Sequence, residues 1–576
     1  MTKKNKQKLE LTWIGKEARP KLEPRILVED TEKSYHADHR VTENDVFDNK
    51  LIFGDNLLAL KALEQEYMGK IKCIYIDPPF NTGAAFDHYD DGVEHSIWLD
   101  LMYRRFKILH TLLSNDGVIA VHLDDNEAAY CKVILDDVFG RKNYRNNIVI
   151  KSNSSFGFKH TSGDIFKSTN HLLIYSKSDE FKFNEYFVEK PYDTAYKFYL
   201  SNRDDHYKKW SWKLIADIIA EKEGFENARE ARKKINKQVF AGMIADFALK
   251  NASGVFRTAS VTGGALKKRK DTIALSKSSK KEVFTHPNDD MDYHFIGGER
   301  VLFYDQRLKD INGKMLPAEV LTDFWSDFSW EGIAREGGVA FPKGKKPEAL
   351  IKRVLDLCTS PGDLVLDSFG GSGTTGAVAH KMMRKWIMVE LGEHCHTHII
   401  PRIKNIISGE DQSGVSKDVD WQGGGGFRYY KIAPSMLQRD KWDRWIVSKE
   451  YNSEMLSEAL CKMMGFTYAP SDKFYWMHGY STEQDFIYIT TQTMDRAQLT
   501  ALSEEVGEDK TVLVCCSAFR AGENEFSNLT LKKIPHAVLK RCEWGKDDYS
   551  LNVENLPSAP EELDFDEPSL LEEAAG

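Results

Sequence analysis

Two stretches of strand–helix alternation, separated by a long region that lacks it, constrain this chain more than any other feature. Leu51–Asn56 reads as a short strand running into a turn, and Leu57–Tyr67, apolar at 57, 58, 60 and 63, as a helix. Ile71–Ile76 is a buried-strand pattern closed by Asp77-Pro78-Pro79, where proline ends any ladder. Ile97–Leu113 has helical periodicity, Gly117–His122 predicts another strand and Asn126–Phe139 another helix. The pattern fades near residue 150. It returns with a helix over Pro347–Leu357, a strand at Leu364–Asp367, a glycine-rich turn, a helix near Thr375–Met383 and a strand at Trp386–Glu390.

Either piece alone would leave sheet edges and apolar faces uncovered. The expectation is therefore one α/β domain with a mostly parallel sheet, assembled from residues 51–150 and 324–421. Residues 151–323 form an insertion between them, with a helical tract around 212–237 and a basic stretch at 267–281. Residues 1–50 read as an N-terminal arm. Residues 422–555, with strand patterns at Phe486–Ile489 and Thr511–Val514, read as a C-terminal α/β accessory domain, followed by an acidic tail over 556–576 too poor in apolar periodicity to require a fold.

A chain of 576 residues exceeds the size at which one core keeps growing, and 41% hydrophobic with 29% charged residues fits a globular protein. No run of about 18 apolar residues suggests a membrane span, and the basic start is not followed by the apolar segment of a secretory signal. Eight cysteines without a CxxC pair read as reduced thiols, so a cytoplasmic location is expected. The net charge of −9 argues against a protein that coats nucleic acid over its whole surface. It leaves room for a bounded DNA groove, because Lys267, Lys268, Arg269, Lys270, Lys277, Lys280 and Lys281 fall together while acidic residues crowd the tail.

Asp77-Pro78-Pro79-Phe80 has the groups needed to grip an exocyclic base amine. Such an amine is a poor nucleophile because its lone pair is delocalised into the ring. The Asp77 carboxylate and the Pro78 carbonyl can accept its two hydrogens and favour a tetrahedral nitrogen. Phe80 offers a face on which the base stacks, and Asn81 orients the loop or the base edge. An amine inside a duplex cannot reach such a pocket, so the nucleotide must be flipped out.

Gly370, Gly371, Gly373 and Gly376 permit a tight turn after the Leu364–Asp367 strand and close approach of a ligand to the backbone. The turn lacks the lysine of a P-loop and departs from GxGxxG, which argues against ATP hydrolysis and a dinucleotide. Glu390, at the next strand end, suits ribose hydroxyls, or is simply a surface carboxylate. Phe53, Asp55 and Asn56 end a further strand and can join the same crevice, although Asp55 can equally cap the following helix. His394, Cys395, His396 and His398 lack a matching ligand pair and read as packing or surface residues, so no metal is expected. Trp325, Trp330 and Arg335 suit either DNA contact or a packing corner, and Cys73 reads as a buried strand thiol.

With LIFGDNLLAL at 51–60, IYIDPPFNTG at 74–83, FWSDFSWEGIAREGG at 324–338, FPKGKKPEALIKRVL at 341–355, LVLDSFGGSGTTGAVAH at 364–380 and WIMVELGEHC at 386–395, the chain resembles the modification subunits of type III restriction-modification systems. These are β-group amino-methyltransferases that make N6-methyladenine in DNA. The resemblance implies the S-adenosylmethionine-dependent methyltransferase fold, S-adenosyl-L-methionine as methyl donor, and a target-recognition role for the insertion. It places Asp77, Pro78, Pro79 and Phe80 around the flipped adenine. Phe369, Gly370, Gly371, Gly373 and Thr374 fall in the cofactor loop, Glu390 at the ribose, and Lys346, Pro347 and Leu350 in the preceding cofactor-side motif.

The same resemblance implies double-stranded DNA as substrate, a homodimer and a separate ATP-dependent restriction subunit as partner. Phe80 stands where relatives commonly have Tyr, which keeps stacking and loses a phenolic hydrogen bond; Gly370 replaces a frequent alanine. Direct attack of the amine on the sulfonium methyl is expected, without a covalent enzyme intermediate. Cytosine-N4 transfer is the alternative within the enzyme class, and a catalytically silent sequence-specific DNA-binding subunit the alternative outside it.

Overall fold

The computed structural model describes residues 10–13, 16, 21–79, 91–152, 167–287, 293–311, 313–341, 344–522, 524–536, 538 and 542–549, the first turn of the helix at 91 by its backbone alone. The chain divides into two compact units, one of residues 1–184 with 323–576 and one of residues 185–322.

The first unit is built on a sheet of eleven strands. In chain order its main strands are β1 (Leu27–Glu29), β2 (Asn49–Phe53), β3 (Ile71–Ile76), β4 (Leu113–Leu123), β5 (Tyr144–Lys151), β6 (Thr169–Ser176), β7 (Phe324–Trp325), β8 (Leu364–Asp367), β9 (Lys385–Glu390) and β10 (Gly426–Ile432). Their order across the sheet is β1-β10-β2-β9-β8-β3-β4-β6-β5-β7. From β10 to β4 every neighbouring pair is parallel. β1 pairs antiparallel at one side and β6 antiparallel to both β4 and β5 at the other.

Strands covered on both faces read as unbroken apolar runs rather than alternating ones, which is why Ile71–Ile76 is buried along nearly its whole length. The covering helices are α1 (Asn56–Tyr67), α2 (Asp91–Leu112), α3 (Ala128–Leu135), α4 (Glu348–Cys358), α5 (Thr374–Lys381) and α6 (Ile400–Ile407). Trp98, Met102 and Phe106 of α2 pack with Leu58 and Leu63 of α1, Ile74 of β3 and Ile119 of β4 in the main core.

Three boundaries differ from the sequence expectation. The segment expected as an arm at 1–50 supplies β1 and the start of β2, and β1 covers an edge that β10 would otherwise present. The insertion expected from 151 begins at 185 as a compact unit, because Thr169–Ser176 carries an apolar run buried between two strands of the main sheet. The C-terminal part expected from 422 gives its first strand, β10, to the same sheet; beyond it lies a five-stranded sheet that includes Asp485–Ile489 and Thr511–Cys516, with helices Ser453–Met464 and Arg496–Val506.

The second unit has a six-stranded antiparallel sheet, a three-stranded sheet and its own core around Tyr196, Ile215, Phe240, Phe247 and Tyr304. The tract expected as helical from 212 opens instead with a short strand at Trp212–Leu214 before helices at Ile215–Lys222 and Ala228–Lys234. The basic stretch lies on helices Gly263–Lys268 and Lys270–Ser278 and the turn that follows. Among the described residues no helix is long and apolar enough to cross a membrane.

Candidate functional site

Four adjacent parallel strands, β2, β9, β8 and β3, end side by side. In open α/β sheets ligands bind outside the carboxyl ends of strands, and here those ends carry Asp55-Asn56, Glu390, the glycine-rich turn and Asp77. Together they line a cleft of about 470 Å³. Pro78, Pro79, Lys346, Phe369 and Gly371 also line it.

At the β3 end, Asp77 is half-buried and ion-paired through Oδ2 with Lys346 Nζ, while its buried Oδ1 has no hydrogen-bond partner among the described residues. Burial pushes the Asp77 carboxyl above its ordinary range, and Lys346 opposes that. The turn after it is anchored by Trp98, whose Nε1 donates to the Pro79 carbonyl at 3.0 Å. Beneath it, the Tyr75 hydroxyl lies 2.8 Å from His122 Nδ1, and His122 Nε2 lies 3.0 Å from Asn170 Nδ2. Burial holds that imidazole well below its usual value, hence neutral.

At the β9 end, Glu390 Oε2 accepts the Gly371 N–H at 2.7 Å and Oε1 accepts the Gly392 N–H at 2.8 Å. Gly371 reaches that geometry at φ 53°, which costs a side chain-bearing residue more than glycine. His394 Nε2 sits 2.9 Å from Glu390 Oε1, and this carboxylate raises the imidazole pKa. At the β8 end, Asp367 accepts from Phe369 N at 2.9 Å and from Thr375 Oγ1 at 2.6 Å, yet burial and the nearby Asp77 and Glu390 charges push it up to about 7.

At the β2 end, Asp55 Oδ1 caps α1 by accepting from the Leu57 and Leu58 N–H groups at 2.8 and 3.1 Å. Asn56 Nδ2 donates to Ser368 O at 2.6 Å, and Arg105 Nε donates to Asn56 Oδ1 at 2.5 Å.

The other expected site residues stand behind the cleft rather than on it. Phe53 packs its ring 4.6 Å from that of His396. Gly370 donates to Val389 O at 2.9 Å, Gly373 precedes α5 and packs on Ile399, and Thr374 Oγ1 accepts from Arg402 at 2.9 Å. Pro347 caps α4. Phe80 and Asn81 lie outside the described residues. Lys346, expected on the cofactor side, contacts Asp77 directly.

Cleft residues that sequence reasoning missed include Leu101, Arg105, Phe341, Ser368, Leu391 and His394. Ser368 and Leu391 adjoin residues already singled out, so proximity in sequence was a usable signal for them; Arg105 reaches the site only through the packing of α2. His396 lies 2.7 Å from the Tyr429 hydroxyl and His398 Nε2 3.0 Å from Ala340 O, so these histidines serve local contacts. A second, more polar cleft of about 520 Å³ shares Phe341, Gly344 and Lys346 with the first and is lined further by Asp124, Ser152, Asn170 and Trp330.

A parallel sheet with acidic and glycine-rich strand ends defines a methyltransferase-type α/β fold. The chain belongs to the DNA methylase family, whose pattern matches residues 71–401. It is 33% identical over 408 residues to the "Probable type III restriction-modification enzyme HindVI Mod subunit" of Haemophilus influenzae, an alignment covering 67% of this chain and 54% of that relative. It is 26% identical over 460 residues to the type III restriction-modification enzyme EcoP15I Mod subunit of Escherichia coli, covering 68% of this chain and 65% of the relative. The chain thus spans between about half and two thirds of the length of these relatives. Among solved structures, the PvuII DNA methyltransferase (cytosine-N4-specific) aligns over 64% of this chain and 90% of its own at 14% identity and a TM-score of 0.30, too loose a superposition to bear on the site.

Proposed function

We propose that this chain transfers a methyl group from S-adenosyl-L-methionine to the N6 amine of adenine in DNA, as the modification subunit of a type III restriction-modification system. The observation that carries the reading is Asp77 Oδ1, a buried acceptor at the edge of the strand-end cleft with no donor among the described residues. A buried acceptor without a donor is costly, and an exocyclic amine supplies the missing one. The Mod subunits among the relatives support the type III assignment.

The cleft fits the methyl donor by its chemistry. Carboxylates at Asp55, Asp77 and Glu390 suit a ligand carrying a sulfonium and an ammonium, and Phe369, Val389 and Pro79 give apolar walls for a purine ring. Glu390 accepts ribose hydroxyls on the lone pairs that Gly371 and Gly392 leave open. When bound, S-adenosylmethionine supplies an electrophilic methyl group.

The protein's part is to prepare the amine. Asp77 Oδ1 and the Pro78 carbonyl accept its two hydrogens, which draws the nitrogen lone pair out of conjugation with the ring. The same Oδ1 takes the proton that the substituted amine sheds, a role suited to a carboxyl whose affinity for protons burial has increased. No covalent enzyme intermediate is needed, and alignment supplies much of the acceleration. The adenine is flipped out of the duplex, residues 185–322 select the DNA sequence, the active form is a homodimer, and a separate restriction subunit binds the same protein.

The test is to incubate the protein with S-adenosylmethionine and unmethylated DNA of mixed sequence, then digest and quantify the modified bases by mass spectrometry. N6-methyladenine that disappears in Asp77→Ala is the expected result. N4-methylcytosine instead would move the target to cytosine, and full turnover by Asp77→Ala would remove Asp77 from the reaction.

A further inference from the structure

Lys346 stands where the two clefts of the first unit meet, lining both. Its side chain is only 7% exposed, and its Nζ donates to Asp77 Oδ2 and, at 3.2 Å, to the Gly344 carbonyl. It precedes Pro347, whose extended backbone caps α4, so the chain enters that helix with the lysine directed to the β3 end.

The surroundings of Asp77 are otherwise unfavourable to its charge. Tyr75 lies on the same strand, Asp367 ends the neighbouring strand and Glu390 the one beyond. Asp77 contributes to raising Asp367, as Glu390 does, and burial acts on Asp77 in the same direction. His122 is held neutral and so offers no compensating charge. Among the described residues Lys346 is the cation that acts on Asp77, and it occupies one carboxylate oxygen while the other has no partner there.

An acceptor for an amine hydrogen needs that division: a carboxylate with one oxygen fixed and one oxygen free. Resting on the methyl-transfer reading above, we infer that Lys346 is a positioning residue, which clamps Asp77 through Oδ2 and thereby presents Oδ1 to the target amine. Without the ammonium, Asp77 is free to rotate and burial holds its carboxyl further toward the protonated form, in which the acid hydrogen competes with the amine. The lysine acts through Asp77 and carries out no bond change itself.

The experiment compares wild type, Lys346→Met and Lys346→Arg by the pH dependence of kcat on DNA, with S-adenosylmethionine affinity measured by calorimetry in the absence of DNA. For Lys346→Met the acid limb of the profile should move to higher pH, with kcat down roughly tenfold or more near neutrality and recovering as pH rises. Lys346→Arg should restore most of the profile, and cofactor affinity should change little in both. If Lys346→Met fails to fold by thermal melting, Lys346→Gln, which keeps a donor for Gly344 without the charge, takes its place.

An unmoved limb with a uniform loss of kcat would overturn the inference, as would a large loss of cofactor affinity with an unchanged profile. A wild-type protein that makes no methylated base overturns the methyl-transfer reading and this inference with it. An active wild type with an unmoved limb removes the inference alone.

Discussion

Asp77 and Asp367 end adjacent strands, and each is pushed toward its neutral form by burial, yet they have different work. Asp367 is fully satisfied as an acceptor by Phe369 N and Thr375 Oγ1 and fixes the glycine-rich turn from below. Its carboxyl rises from an ordinary 3.8 to about 7, so between those values the folded protein holds a proton that the unfolded chain has released. Stability from this group is complete below the unfolded value and is lost as pH rises through about 7. Asp367→Asn, neutral at all pH, is expected to flatten the fall in stability between about pH 4 and 7, as measured by urea unfolding at a series of pH values; an unaltered slope would assign the proton elsewhere. The place of Asp77 on the cleft was legible in the sequence because its signals are local: Asp-Pro-Pro at a strand end is by itself more often a capping turn, but the aromatic that follows and the glycine-rich loop elsewhere in the chain turn it toward an amine site. Arg105 was not, because a charged residue inside an amphipathic helix shows no sign of its depth, and only the packing of α2 buries it among Asn56, Asp55 and the Tyr549 carbonyl.

Helices α4, α5 and α6 are joined by a charge network without solvent exposure at its centre. Glu348 of α4 accepts from Lys381 of α5 at 2.8 Å and from Arg402 of α6 at 2.7 Å, and Lys381 also pairs with Asp411 at 2.7 Å. Arg402 donates onward to Ser372 O at 3.1 Å and Thr374 Oγ1 at 2.9 Å, so the helices hold the glycine-rich turn in place from behind. Removing one member of a buried ion pair leaves its partner uncompensated, and Arg402→Met should cost roughly 3–5 kcal/mol by chemical denaturation. A loss under about 1 kcal/mol would show that water reaches the network. Gly337→Ala should weaken the same assembly, since Gly337 has φ 71° and a Cβ there would fall on the Arg402 guanidinium. The glycine motif announced the turn, but the sequence did not say which of its residues face the cleft. Gly371 does, while Gly373 and Thr374 turn toward α6, a division set by the network and invisible in a linear motif.

Across the whole first unit, the parallel centre of the sheet was readable because each strand is followed by its covering helix, so period and order appear together in sequence. The flanks were not, since β1, β6 and β10 are not followed in sequence by a covering helix and come from segments whose pairing is decided by long-range register. The same holds for the far C-terminal part, whose sequence gave no hint of a tie to the site. The Tyr549 backbone N–H donates to Asp55 Oδ2 at 2.9 Å, and its carbonyl accepts from Arg105 Nη2 at 3.1 Å. Asp55 and Arg105 both line the strand-end cleft, so a residue near the end of the chain completes the hydrogen bonding of its floor. A chain ending at residue 541 would leave a buried carboxylate and a buried guanidinium each short of a partner, at a cost of about 1–3 kcal/mol apiece. Such a truncation is expected to weaken S-adenosylmethionine binding at least tenfold by calorimetry and to lower the melting temperature, whereas a chain ending at residue 555 retains both. Tyr549→Ala, which keeps the backbone groups and loses the buried ring with its hydroxyl bond to Glu543, should lower stability more than affinity, and equal loss of both would mean that the side chain rather than the peptide secures the floor.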